Sequence, residues 1–149
     1  MEERYKIEFT TFLKNFKSHL SKHGLKNSIQ KDYILKILFF SNEHLTAEQI
    51  TEKVRNEYKV DVGIATVYRT MKFFEDMDIV NFLDIGDGIK RYELSLSLHH
   101  DHLVCTECGK ILEFTDELIE EQQKIVAKSN NFNLEDHVMT IYGICENCQ

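Results

Sequence analysis

The chain contains four cysteines, arranged as Cys105-x-x-Cys108 and Cys145-x-x-Cys148. Two residues between the members of a pair let a tight turn aim both sulfurs at one ion, and four thiolates suit tetrahedral Zn²⁺. Gly109 fits such a turn. Disulfides are the competing reading, but a cytosolic chain is kept reduced, and a thioredoxin-type motif needs only one pair near a βαβ pattern. A structural Zn²⁺ site is therefore expected. The segment 109–144 between the pairs is longer than in a compact zinc ribbon, so the ion would pin the C-terminus onto its domain with a helix lying between.

The densest ligand-type run is His99-His100-Asp101-His102, just before Cys105. In an extended segment alternate side chains share a face, so His100 and His102 point one way and His99 and Asp101 the other. Two sites can share one strand. Carboxylates able to complete them are Glu93, Glu113 and Glu120, and further imidazoles are His44 and His137. Mixed imidazole and carboxylate ligands fit Fe²⁺, Mn²⁺, Co²⁺ or Zn²⁺ better than Ca²⁺ or Mg²⁺. A metal-dependent hydrolase would need an open coordination position and a pocket. No nucleophile or phosphate-loop motif supports one, and no enzyme is expected. A zinc-dependent interaction module without DNA affinity is the other alternative.

At 149 residues the chain has room for one ordinary domain or two small ones, which excludes a large multidomain enzyme. With 42% hydrophobic and 29% charged residues it has the balance of a soluble globular protein. The longest apolar stretch, 34–40, is broken by Lys36 and is too short for a bilayer, and no leader precedes a cleavage site, so a cytoplasmic protein is expected, with no membrane partner. Residues 1–92 carry 15 basic and 14 acidic side chains, whereas 93–149 carry 3 and 11. Bound divalent cations would offset much of the acid in the second part.

Helical spacing of Phe9, Phe12, Leu13, Phe16 and Leu20 predicts a first helix ending near His23-Gly24. Ser28 can cap a second helix with Ile34, Ile37 and Leu38 on its apolar face. Thr46 and Gln49 match a capping box opening a third through Ile50 and Val54. A fourth helix over 64–77 is expected to bury Ile64, Val67, Met71 and Phe74, leaving Thr66, Arg69, Thr70 and Lys72 away from that stripe. Strand-like runs at 79–85 and 89–94 flank Gly86-Asp87-Gly88, a turn sequence tolerant of positive φ. Helices followed by a hairpin suggest a winged helix-turn-helix, whose second helix would enter the major groove. The boundary is placed within 92–98.

Taken together, Gly63-Ile64-Ala65-Thr66-Val67-Tyr68-Arg69-Thr70, Arg91-Tyr92-Glu93-Leu94, His99-His100-Asp101-His102, Cys105-x-x-Cys108-Gly109-Lys110 and Tyr142-Gly143 before Cys145-x-x-Cys148 resemble the ferric uptake regulator family of bacterial metal-responsive repressors. The resemblance covers nearly the whole chain. It implies an α+β protein: a winged helix-turn-helix DNA-binding domain, 1–92, followed by a small α/β metal-binding dimerisation domain, 93–149, with a four-cysteine zinc site. It further implies a homodimer, with a tetramer left open, that represses iron-uptake genes on double-stranded operator DNA when its metal is bound. By the same resemblance Cys105, Cys108, Cys145 and Cys148 hold structural Zn²⁺, and His44, Glu93, His100, His102 and Glu113 form the regulatory site. His99, Asp101, Glu120 and His137 form an additional site, and Lys26, Ala65, Thr66, Tyr68 and Arg69 contact DNA. Fe²⁺ is the expected regulatory ion, with Mn²⁺, Co²⁺ or Zn²⁺ able to substitute. The peroxide-sensing branch typically has aspartates where Glu93 and Glu113 stand, and the zinc-sensing branch brings in a further cysteine. Where the family usually has an arginine after Gly24-Leu25-Lys26, this chain has Gln30-Lys31. Arg4, Lys6, Lys14 and Lys17 are candidates for added backbone contacts.

Overall fold

The computed structural model describes residues 2–41, 43–95 and 99–149, with side chains from Glu8 onward, so Arg4 and Lys6 lie outside the described side chains. The chain divides into two compact units, Met1–Leu96 and Ser97–Gln149.

The first unit begins with helix α1 (Glu2–Lys22), which buries Phe9, Phe16 and Leu20. It ends where Gly24 adopts φ 67 and the Leu25 amide donates back to the Leu20 carbonyl at 2.9 Å, a left-handed stop that glycine takes without strain. Ser28 caps helix α2 (Ile29–Phe40) by accepting from the Lys31 amide, and Ile34, Leu35, Ile37 and Leu38 face inward. Strand β1 (Leu45–Thr46) is absent from the sequence-based expectation, because two residues carry no periodicity to read. Thr46 also caps helix α3 (Ala47–Tyr58), and the reciprocal bond from the Thr46 amide to Gln49 Oε1 completes the capping box at 2.8 Å.

Helix α4 (Ile64–Asp76) buries Val67, Thr70, Met71 and Phe74. Two side chains depart from expectation. Ile64, first in the helix, is exposed, whereas Thr70 is buried. Thr70 lies three residues after Val67 and four before Phe74, which puts it on the inward stripe. Strands β2 (Val80–Asp84) and β3 (Lys90–Leu94) form the hairpin, with Gly86 at φ 92 and Gly88 at φ 73 in the turn. They join β1 in an antiparallel sheet of order β1-β3-β2. These helices and sheet enclose one core that includes Leu20, Ile34, Leu35, Leu45, Ile50, Val67 and Phe74.

Strand β3 continues past Tyr92, pairing Glu93 with Asn81 and Leu94 with Val80, so the first unit extends beyond the expected limit at residue 92. Part of the expected boundary, residues 96–98, lies outside the described residues.

The second unit is a three-stranded sheet of order β5-β4-β6. Strand β4 (Asp101–Cys105) pairs antiparallel with β5 (Ile111–Phe114) and parallel with β6 (Thr140–Gly143). Helix α5 (Glu117–Ser129) lies between β5 and β6 in sequence and is capped by Asp116, which accepts from the Leu118 and Ile119 amides. This is the helix expected between the cysteine pairs. Among its described residues none is buried.

Candidate metal centres and nucleic-acid interface

The four cysteines come from two ends of the second unit. Cys105 closes β4, Cys108 follows in the turn before Gly109 (φ 71), and Cys145 caps a short 3₁₀ turn, Glu146–Cys148, that ends on Cys148. The Thr106 amide donates to the Gly143 carbonyl at 2.9 Å and so brings the pairs together. All four thiols are free, and their sulfurs lie within 4.8 Å of one another. Cys108 Sγ and Cys145 Sγ are 3.7 Å apart. The edge of a tetrahedron with Zn–S bonds of about 2.3 Å is about 3.8 Å, so this spacing fits one zinc. The backbone amides of Cys145 and Cys108 pull the Cys105 thiol down to about 6, while hydrogen bonding with Cys145 and Cys108 pushes Cys148 up to about 12. One sulfur is thus readied as thiolate, whereas the Cys148 proton is held and would have to leave for that sulfur to ligate a divalent cation.

A second cluster gathers His99, Asp101, Glu120 and His137, whose ligand atoms also lie within 4.8 Å of one another. Glu120 Oε1 is 3.3 Å from His99 Nε2 and 3.4 Å from His137 Nε2, and Asp101 Oδ1 is 3.7 Å from each imidazole. Asp101 is 1% exposed. Its Oδ1 accepts from the Met139 amide, but its Oδ2, Glu120 Oε1 and His137 Nε2 are buried without a hydrogen-bond partner. Leaving a buried carboxylate oxygen unpaired is costly, and convergence of such atoms is the donor set a divalent cation satisfies.

The remaining ligand candidates occur in each unit separately. In the first, His44 precedes β1 and Glu93 lies on β3. The pairing of Leu45 with Tyr92, carried one residue back, sets them opposite each other, and His44 Nε2 is 3.5 Å from Glu93 Oε2. In the second, the His100 and His102 rings are 4.9 Å apart. His100 Nε2 is 3.9 Å from Glu113 Oε1, and Glu113 pairs in register with His102. The structure thus divides the histidine run as alternation along an extended segment predicts.

On α4, Ala65, Tyr68 and Arg69 are exposed and Thr66 is half-buried. Arg69 Nη2 donates to Thr66 Oγ1 at 3.2 Å, and the Tyr68 hydroxyl donates to Glu48 Oε1 on α3 at 2.8 Å. The chain enters α4 along a loop held to α3 by Arg55, whose Nη2 donates to the Val62 carbonyl. Lys26 is exposed in the loop after α1. Lys31 Nζ donates to the Lys26 carbonyl at 3.0 Å and sits 3.8 Å above the Phe73 ring. It occupies the departure from the family pattern, and here it braces the loop that presents Lys26. Neither this brace nor Glu48 was legible in the sequence, since each bond joins separate elements.

The ferric uptake regulator family model matches residues 22–142. The chain belongs to the ferric uptake regulator family. The ferric uptake regulation protein of Campylobacter jejuni is 41% identical over 143 residues, covering 95% of this chain and 91% of the relative. That of Legionella pneumophila is 45% identical over 127 residues, covering 85% and 93%. The solved ferric uptake regulator of Helicobacter pylori, described as having three functional metal binding sites, superimposes with a TM-score of 0.87 at 35% identity, covering 94% of this chain and 93% of its own. This family member is accordingly a metal-responsive transcriptional regulator and not an enzyme, built as a winged-helix DNA-binding domain with a dimerisation domain. No helix among the described residues is long and apolar enough to cross a membrane.

Proposed function

We propose that this regulator is an iron-responsive repressor, in which Fe²⁺ favours a dimer that binds operator DNA and silences iron-uptake genes. The observation that carries the reading is that each unit presents its own partial ligand group. His44 stands with Glu93 in the first, and His100 and His102 stand with Glu113 in the second. A divalent ion taking all five would supply Lewis-acid bonds that tie the units into a DNA-competent arrangement. Glutamates at 93 and 113, rather than aspartates, and the commitment of every cysteine to a paired motif favour iron over peroxide or zinc sensing. Mn²⁺, Co²⁺ or Zn²⁺ can substitute, because the same ligands accept them.

Within this reading Cys105, Cys108, Cys145 and Cys148 hold structural Zn²⁺ and keep the C-terminus on β4. His99, Asp101, Glu120 and His137 would hold a supporting ion in the second unit. The division of labour is residues 1–92, extended through β3, for DNA, and the remainder for metal and dimerisation. Ala65, Thr66, Tyr68 and Arg69 meet the major groove, and Lys26 approaches the backbone or minor groove. Arg69 contributes most, since its fork of donors is not replaced by an apolar side chain. In the second unit Leu118, Val126 and Phe132 line an open groove of about 800 Å³, and all three are exposed, which suits cover by a second copy.

The test is metal content after purification, followed by anaerobic titration of an A/T-rich inverted repeat and an unrelated duplex with and without Fe²⁺ or Mn²⁺. Selective tightening on the repeat, abolished by His100→Ala or His102→Ala, is the expected result. Equal binding to both duplexes whatever the metal overturns the reading. Sedimentation of the same samples distinguishes dimer from tetramer.

A further inference from the structure

We infer that Glu48 is a positioning residue for DNA readout: its carboxylate holds the Tyr68 hydroxyl and so fixes how Tyr68 stands off the exposed face of α4. The inference rests on the proposed DNA-binding role of α4. Glu48 sits in the first turn of α3, inside the Thr46–Gln49 capping box that sets the start of that helix. Tyr68 Oη lies 2.8 Å from Glu48 Oε1, across the α3–α4 pair. No other helix pair of this unit places an acid against a residue of the expected recognition face among the bonds described.

The arrangement has an unexpected sign. An acidic side chain beside a surface that must meet phosphates is repulsive, so its presence there calls for a compensating role. The hydrogen bond supplies one. Tyr68 is 47% exposed, and a half-exposed phenol on a helix samples several rotamers unless something holds it. With its proton directed to Glu48, the phenol oxygen keeps its acceptor capacity outward, and the ring edge is presented in one orientation. Meeting the ordering cost before binding improves both affinity and discrimination. Arg69, braced by Thr66 one turn back, follows the same logic. The bond is also visible in the acidities. Glu48 is lowered by its own backbone amide and then by the Tyr68 hydroxyl, and Tyr68 is raised chiefly by Glu48.

The experiment compares the full-length, metal-loaded protein with Glu48→Gln, Glu48→Ala, Tyr68→Phe and the double variant Glu48→Ala/Tyr68→Phe. The readout is the ratio of affinities for the inverted repeat and an unrelated duplex. Glu48→Ala and Tyr68→Phe are each expected to lower that ratio by about 3–10-fold, the range of one hydrogen bond, and the double variant to lose no more than either. Glu48→Gln keeps an acceptor for the hydroxyl and should retain the ratio within about twofold. A purely repulsive Glu48 predicts the opposite, namely that Glu48→Ala tightens both duplexes equally and leaves the ratio alone. That result, or losses that multiply in the double variant, overturns the inference. A second arm needs no DNA: the Tyr68 phenol, followed by NMR, should titrate closer to the ordinary tyrosine value in Glu48→Ala, and also in Glu48→Gln, whose neutral amide can turn to donate to a phenolate. If wild-type protein fails to distinguish the duplexes, the DNA reading has failed. An unchanged Tyr68 titration in Glu48→Ala then separately refutes the positioning.

Discussion

Replacing Cys145 by serine, or stripping metal with a chelator, should unfold the second unit and leave the first intact. The buried hydrophobic residues of the second unit, among those described, are Val104 and Cys105, and α5 buries none of its own. Burying one such side chain is worth about 1.5–3 kcal/mol. A structural zinc there would bring about 10–16 kcal/mol of apparent binding free energy, and so would outweigh the apolar core of this unit. The first unit is built differently: Leu20, Ile34, Leu35, Ile50, Val67, Met71 and Phe74 are at most 1% exposed and need no ion. Losing even a third of the zinc term, about 4 kcal/mol, speeds exchange of protected amides in β4 and β6 roughly 10³-fold. Amide hydrogen exchange on the full chain reads both units at once. The amides of α2 and α4 should change little, within about 0.5 kcal/mol. If β4 and β6 keep their protection in Cys145→Ser while zinc is absent, the ion does not hold this unit together and the reasoning is wrong.

Asp101→Asn retains an acceptor for the Met139 amide but loses a charged ligand. Since even outer-shell losses cost about 10–100-fold in metal affinity, Mn²⁺ or Zn²⁺ binding at the His99, Glu120 and His137 cluster should weaken at least that much by calorimetry. Arg69→Ala should reduce binding to the repeat at least about tenfold, with the urea midpoint unchanged, because its side chain touches only Thr66 Oγ1 in the described bonds. Phe74→Ala removes a ring that is 0% exposed and stacked edge-on against Phe16, and should cost the first unit about 3–5 kcal/mol in denaturant unfolding. In the hairpin turn, the Arg91 guanidinium and the Ile89 amide hold Asp87 down to about 2, from an ordinary 3.8. A depressed carboxylate stabilises the fold above its ordinary value and loses that contribution as pH falls through the folded one. The Asp87–Arg91 pair should therefore persist at pH 4 and break only near pH 2, as followed by the Asp87 carboxyl resonance.

Much of this protein is legible locally. Ser28, Thr46 with Gln49, and the glycines at 24, 86 and 88 set element ends through contacts a few residues long, so the helices and the hairpin can be read in order. The alternation of His99 through His102 separates two ligand groups without any tertiary information, since side-chain direction in extended backbone has a period of two. Ile64 and Thr70 depart from the expected stripe for a reason of the same scale. A helical stripe has a width, and its edges depend on which neighbours cover them.

Residue types and spacing alone therefore showed which ligand-type residues were at hand, where α1 stops and where α2 and α3 start, and that four thiols could converge. What meets across distance came from packing. It paired β1 with β3 to set His44 against Glu93, brought Glu120 and His137 around Asp101, turned Lys31 into a brace for Lys26, and placed Glu48 under Tyr68. Short-range signals are written in spacing and caps. Contacts between separate elements depend on strand register and helix packing, which are settled by the sum of the burial and not by the identity of either partner.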